Sequence, residues 1–253
     1  MNELDWELAK ANLEFVRYAD DSIVMCQTKE DLEKAKVIVH ETLQRLGLEL
    51  AEDKSDDIDF HEKDFDFLGF TFNHLKLSKN RHVYYTFGPS RKSIKKFKSD
   101  IKSITKKSCT HSFEKWTKIL NPVIRGKFNY FLIPFQVARE IRLLLNERGR
   151  VMHGIPALDI TKLDGYVRQR LRVSFSCRGK KHGGQAQGKL LTVKYDNKFF
   201  IKCMGLVTGA YMKAQIVFPG INIDDFILLM DSNKKKSTSS QSKKRFFQYA
   251  YTK

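Results

Sequence analysis

Residues 15–22 read Phe15-Val16-Arg17-Tyr18-Ala19-Asp20-Asp21-Ser22. Short apolar runs flank the two acids, Leu13 to Tyr18 before and Ile23 to Cys26 after, both rich in β-branched and aromatic residues. That pattern predicts a hairpin buried on both faces with Asp20 and Asp21 at its tip. Neighbouring carboxylates repel each other, and burial raises the cost of their charge. A hard divalent cation such as Mg²⁺, which takes oxygen ligands, relieves both effects. Acids of this kind hold paired metals roughly 3.5–4 Å apart where phosphoryl groups are transferred. A plainer account is that Asp favours turns and needs no metal there. The hairpin by itself leaves both accounts open.

Outward from the hairpin, Thr28 and Asp31 form a helix-start pattern, and Leu32, Ala35, Val39, Leu43 and Leu46 recur at helical spacing before Gly47. This predicts a helix packed under the hairpin. The stretch Ala51 to Asp66 carries eight acids and reads as a solvated acidic loop in preference to a second metal cluster. Phe65 to Phe72 and His82 to Phe87 read as strands around a polar turn at Lys79-Asn80.

The net charge of +17 is unevenly placed. Met1 to Phe72 holds 8 Lys/Arg against 19 Asp/Glu, a balance of −11, whereas Asn73 to Lys253 holds 38 against 10, a balance of +28. An acidic piece therefore precedes a basic one, and basic residues interleaved with aromatics are the electrostatic footprint of nucleic-acid binding. The four cysteines, Cys26, Cys109, Cys177 and Cys203, form no C-x-x-C pair, so neither a zinc knuckle nor a disulfide framework is expected. No positive-then-apolar leader stands at the N-terminus, and no uncharged apolar stretch approaches the roughly 20 residues of a membrane helix. A soluble, cytoplasmic protein without membrane contact is expected.

From Ser90 a new pattern begins. Ile94, Phe97, Ile101 and Ile104 form one helical face, while Lys92, Lys95, Lys96, Lys98, Lys102, Lys106 and Lys107 crowd the rest. A membrane-surface helix would share this composition, but an anionic RNA track also needs such a face. Ser112 opens a helix through Trp116, Ile119 and Leu120 that Pro122 is expected to interrupt. Further helical segments, Gln136 to Arg148 and Ala157 to Phe175, complete an expected three-helix bundle from 89 to 175.

The tetrad Tyr18-Ala19-Asp20-Asp21 resembles the signature of reverse transcriptases, on the palm hairpin that carries two of that family's three metal-binding aspartates. Leu46 to Lys54 looks like the family's following strand and lysine, and Phe67-Leu68-Gly69-Phe70 like its primer-grip turn. Leu120 to Phe131, L-N-P-V-I-R-G-K-F-N-Y-F, is similar to the maturase segment (domain X) of group II intron reverse transcriptases. Leu163 to Arg172, L-D-G-Y-V-R-Q-R-L-R, looks like that domain's closing helix. The resemblance, in order over about residues 1–175, identifies the chain as a group II intron-encoded reverse transcriptase/maturase.

It implies an α+β fold: the end of a palm over 1–88 (antiparallel hairpin plus helix), a helical thumb/maturase bundle over 89–175, a C-terminal region over 176–231 and a disordered basic tail over 232–253. It implies Asp20 and Asp21 as catalytic metal ligands for Mg²⁺, supported by Tyr18, Ala19, Lys54 and Gly69. Lys95, Lys96, Lys98, Arg125, Lys127, Arg168, Arg170 and Arg172 are the expected RNA contacts. Lys127 departs from the family, which commonly has tryptophan there. Tyr130 and Phe131 are expected in the core in preference to stacking on bases. The fingers and the strand with the third aspartate have no counterpart before Asp20. The expectation is therefore a C-terminal part of a maturase, begun at an internal methionine or left by a disrupted reading frame, that binds intron RNA and assists splicing with an incomplete polymerase site. The alternative is an active RNA-directed DNA polymerase completed by a separate chain. Group II intron RNA is the implied partner, with target DNA and a chain supplying the missing half as further candidates.

Gly183 to Lys189, G-G-Q-A-Q-G-K, nearly spells a phosphate-binding loop, but Leu190 stands where Ser or Thr is needed and no helix pattern follows. It reads as a flexible glycine loop. Leu191 to Phe200 suggests a hairpin turning at Asp196-Asn197, Val207 to Phe226 is ambiguous, and the lysines and serines from Ser232 onward read as the disordered tail.

Overall fold

Asn2–Lys10 forms helix α1, with Leu4 and Leu8 one turn apart on its buried face. The computed structural model describes residues 2–51, 55–77, 83–106, 111–145, 157–176 and 191–236. Lys54, the Lys79-Asn80 turn, Lys107, Cys109, Cys177, the glycine loop at 183–189 and the tail beyond 236 lie outside the described residues. The chain divides into two units, Met1–Leu68 and Gly69–Lys253.

In the first unit the chain leaves α1 through a turn at Asn12, which takes the left-handed φ of +58° that Asn tolerates. Strands β1 (Glu14–Tyr18) and β2 (Asp21–Met25) then pair antiparallel, with Phe15 opposite Val24 and Tyr18 opposite Asp21. Helix α2 (Lys29–Arg45) begins where Thr28 accepts a hydrogen bond from the Asp31 N–H at 3.1 Å. It stops in a Schellman arrangement: Gly47 at φ +66°, its N–H on the Gln44 carbonyl, and the Leu48 N–H on the Leu43 carbonyl. Leu4, Leu8, Leu13 and Ala35 are buried together, and Phe15, Val24, Cys26, Ile38 and Val39 pack against them. Each fully buried leucine contributes about 1.5–3 kcal/mol.

The hairpin is covered on one face only. Phe15 and Val24 meet the helices, whereas Val16, Tyr18 and Met25 are 50%, 66% and 47% exposed. The expectation of burial on both faces is corrected here, because this unit supplies helices to one side of two strands. The strand expected after Leu46 is likewise absent among the described residues: Leu48 to Ala51 is irregular and exposed. The described acids of this stretch, from Asp56 to Asp66, stay in solvent as expected, with Lys63 on Asp56 at 2.6 Å and Lys36 on Asp57 at 2.5 Å. Strand β3 (Phe65–Phe67) closes the unit.

The second unit opens with β4 (Phe70–Leu77) and β5 (Val83–Pro89), paired antiparallel with a register shift between Asn73 and Lys76. Helices α3 (Arg91–Ile104), α4 (Phe113–Phe131), α5 (Ile133–Leu145) and α6 (Ala157–Ser176) follow. Ser112 caps α4 as expected, accepting from the Lys115 N–H at 3.2 Å, and Ser90 caps α3 in the same way, accepting from the Ser93 N–H at 3.2 Å.

Pro122 does not interrupt α4. The stripe Trp116, Leu120, Ile124, Phe128 and Phe131 is buried on both sides of it. That burial outweighs the roughly 3 kcal/mol an interior proline costs. Among the described residues between 89 and 176 there are four helices, not three, and the core continues past them. Phe97 and Ile101 of α3, the α4 stripe, and Ile160, Leu163, Val167, Leu171 and Phe175 of α6 share one cluster with Phe200, Met204 and Leu206.

The expected hairpin over 191–200 is helical instead, and Phe199–Cys203 forms a π-helical turn. Tyr195 and Phe199 stack edge-on against Phe113, and Tyr195 also against Phe175, so packing overrides the strand preference of aromatics. Helix α7 (Gly209–Val217) and helix α8 (Ile223–Lys236) follow. The latter carries regular structure past Ser232, into residues expected to be unstructured.

Candidate functional site

The acidic hairpin turns over two residues, Ala19 and Asp20, between the Tyr18–Asp21 pair. Ala19 takes φ +52°, the positive value that primed hairpin turns need at their first central position. Arg17 braces this turn. Its Nε donates to Asp5 Oδ1 of α1 at 2.7 Å, and its Nη1 donates to the Ala19 carbonyl at 3.1 Å. The hydrogen bond from Arg17 holds the Asp5 carboxyl below its ordinary pKa. Asp20 and Asp21 are both exposed, so the buried, mutually repelling pair expected from the sequence is instead open to water.

Their chemistry suits Mg²⁺, which binds through one or two carboxylates and keeps water or phosphate oxygens in its other positions. Among the described residues no group of three or more His, Cys, Asp or Glu side chains converges. Tyr18 is exposed beside the pair.

Gly69, the other supporting residue, belongs to the second unit. It takes φ +74°, and its carbonyl accepts from the Ser90 N–H and the Ser93 hydroxyl, both at 2.9 Å. An added Cβ would meet Ser93 Oγ at 2.8 Å, so the turn and the start of α3 are built around a glycine.

The basic surface follows the amphipathic logic of α3. Ile94, Phe97, Ile101 and Ile104 pack inward, and Lys92, Lys95, Lys96, Lys98 and Lys102 stand exposed. Lys98 lies 5.7 Å from the Tyr166 ring centre, and the Tyr166 hydroxyl donates to the Lys98 carbonyl. Arg125 is exposed on α4. Lys127 is half-buried with its ammonium 5.9 Å from the Phe131 ring. Phe131 is core, as expected, whereas Tyr130 is partly exposed and packs on Phe70 at 4.8 Å.

The three arginines of α6 are corrected. Arg168 and Arg172 are only 8% and 9% exposed, which turns them away from solvent, and Arg170 is half-buried. Arg170 donates to the Thr105 carbonyl at 2.7 Å and to its hydroxyl at 3.1 Å, closing the C-terminus of α3 where a cation is favourable. Arg172 donates to the Tyr195 carbonyl at 2.9 Å and lies 5.1 Å from the Phe200 ring. Burial lowers the pKa of Arg168, and the charge of Asp164 opposes that. Asp164 was missed in the sequence. Buried on α6, it accepts from the Gly209 and Ala210 N–H groups at 2.8 and 2.9 Å, capping α7 from another helix. Burial pushes its pKa up to about 6. The signal was present: Ile160, Asp164, Arg168 and Arg172 recur every four residues beside Leu163, Val167 and Leu171, which places the charges on the buried face.

Lys213 of α7 was also missed. It lies over the Phe135 ring at 3.9 Å, and burial brings its pKa down to about 8.

Comparison with known families bears on both units. Residues 1–72 match the reverse transcriptase (RNA-dependent DNA polymerase) family, which defines the class of the acidic hairpin. Residues 94–146, from α3 through α5, match the group II intron maturase-specific domain. The two matches, in this order along the chain, support a group II intron reverse transcriptase/maturase. A search of curated proteins gives no match.

Proposed function

We propose that this chain binds group II intron RNA through its second unit and assists splicing of that RNA. One observation carries the reading. The maturase-matching segment begins on a helix whose apolar face is fully used by the core while Lys95, Lys96, Lys98 and Lys102 face solvent unburied. A row of exposed ammonium groups neutralises phosphates and releases counterions. Arg125 adds a guanidinium suited to two-pronged phosphate contact. Filter binding of the intact chain to intron RNA tests this, against a Lys95→Gln/Lys96→Gln variant. Weaker binding with a shallower salt dependence supports the reading, and unchanged binding sinks it.

The polymerase site is incomplete in this reading. Asp20 and Asp21 supply ligands for one Mg²⁺, and no third carboxylate joins them among the described residues. A second reading is favoured by the open hairpin face of Val16, Tyr18 and Met25: a separate chain bearing a further palm aspartate would cover it and complete an RNA-directed DNA polymerase. Primer extension on an RNA template separates the two, since the first predicts no cDNA from the chain alone.

A further inference from the structure

Helix α4 places Asn121, Arg125 and Asn129 four residues apart along one face, and α5 presents Gln136, Arg139 and Glu140 on another. Together with one face of α7 they line an open groove of about 810 Å³, within the 300–1,000 Å³ usual for ligand clefts.

Two parts of this groove are fixed in advance. The Asn121 side chain donates to the Gly205 carbonyl and accepts from the Val207 N–H, both at 2.9 Å, pinning the segment that closes one side. The Tyr211 hydroxyl donates to the Ile221 carbonyl at 3.1 Å and its ring meets Phe226 at 5.2 Å, so the ring forms a rigid wall. Arg125, Asn129, Gln136 and Arg139 are exposed, with their polar ends available to a ligand.

We infer that this groove takes a short segment of unpaired RNA, with its phosphates on Arg125 and Arg139 and its bases against Asn129, Gln136 and Tyr211. The inference rests on the RNA-binding reading above and adds a preference for single strands. Guanidinium groups match phosphate oxygens in a planar, two-pronged way. Carboxamides offer both a donor and an acceptor, which suits the hydrogen-bonding edge of a base only when that base is unpaired. A fixed tyrosine ring beside Met212 and Ile216 gives a stacking wall. Glu140 repels phosphate and accepts from base amino groups, which sets the backbone on the arginine side. A duplex offers its phosphates but withholds these base edges and faces, because the bases are paired and stacked and side chains cannot read the narrow major groove of A-form RNA. The lysines of α3 touch backbone whether it is paired or not.

Fluorescence anisotropy of the intact chain tests the inference, with an unstructured oligoribonucleotide of about ten nucleotides and a duplex of the same composition. Asn129→Ala/Gln136→Ala is expected to weaken single-strand binding by about tenfold or more and to leave duplex binding within about twofold. The salt slope stays unchanged because no charge is removed. Lys95→Gln/Lys96→Gln weakens both. As a second measurement on the unmutated chain, photocrosslinking with a 4-thiouridine oligonucleotide is expected to label the peptide containing Tyr211 and Met212. Single-strand binding unaffected by the amide changes, or crosslinks confined to α3, overturns the groove assignment while the RNA-binding reading stands. A chain that binds neither RNA overturns that reading and this one with it.

Discussion

Adding one methyl group at two glycines should move stability in opposite directions. At Gly209, the first residue of α7, an added Cβ would lie 2.6 Å from Phe128 Cδ1 and Cε1 and 2.9 Å from Ile160 Cγ2. Phe128 and Ile160 are 0% and 1% exposed, inside the main core. Neither can swing aside, so α7 must lift away from α4 and α6 or the core must strain. Overpacking of this kind costs about 1–3 kcal/mol, and the geometry places it near the upper end. The helix-propensity gain from Gly to Ala is below about 1 kcal/mol. A net loss of about 2 kcal/mol follows. At Gly126, inside α4, nothing lies within 4 Å of an added Cβ, so Gly126→Ala should gain about 0.5–1 kcal/mol. Trp116, buried in this core, reports its unfolding by fluorescence once Trp6, the other tryptophan, is replaced by Phe. At about 2–4 °C per kcal/mol, Gly209→Ala should lower the midpoint by about 4–8 °C and Gly126→Ala should raise it by about 1–4 °C. A neutral or stabilising Gly209→Ala would show that α7 is not seated against Phe128.

Asp164 predicts a pH dependence. Its folded pKa, about 6, lies above the ordinary 3.8, so the folded state binds the proton more tightly. This group's contribution therefore falls as pH rises from about 4 to 6 and levels off above; Asp164→Asn should flatten that slope in urea midpoints measured across pH 4–7.5. Arg170→Ala removes the cation closing α3 at Thr105 and should cost about 1–2 kcal/mol in the same assay, with RNA affinity unchanged at temperatures where the variant is folded. Purified chain with Mg²⁺ or Mn²⁺ should extend no primer on an RNA template, since Asp20 and Asp21 gather no third carboxylate among the described residues; processive cDNA would refute this.

Where local chemistry decides the structure, the sequence was legible. Thr28 and Gly47 mark the ends of α2, Ser90 starts α3, and the lysine spacing of α3 separates its core face from its exposed one. Errors arose where tertiary packing overruled a local rule. Pro122 signals a break, yet the buried stripe on either side of it carries the helix through. Arg168 and Arg172 look like surface charges by residue type, but their four-residue spacing from Ile160 turns them inward. Tyr195, Phe199 and Phe200 read as strand residues because aromatics favour strands, and an aromatic cluster with Phe113 and Phe175 folds them helically. The apolar runs of the acidic hairpin look the same whether one face or both are covered. The groove of Arg125, Arg139 and Tyr211 could not be seen in the sequence, because α7, distant along the chain, packs beside α4 and α5 to form it.

The central claim, that the exposed face of α3 holds RNA phosphate, is tested most directly by log affinity against log salt for the intact chain and for Lys95→Gln/Lys96→Gln/Lys98→Gln. Each phosphate that loses its lysine should reduce the slope by roughly 0.7 for a single strand or 0.9 for a duplex. The triple variant should show a slope shallower by about 2 to 3, with an unchanged melting temperature because these side chains are exposed. An unchanged slope in a variant that melts normally would contradict it.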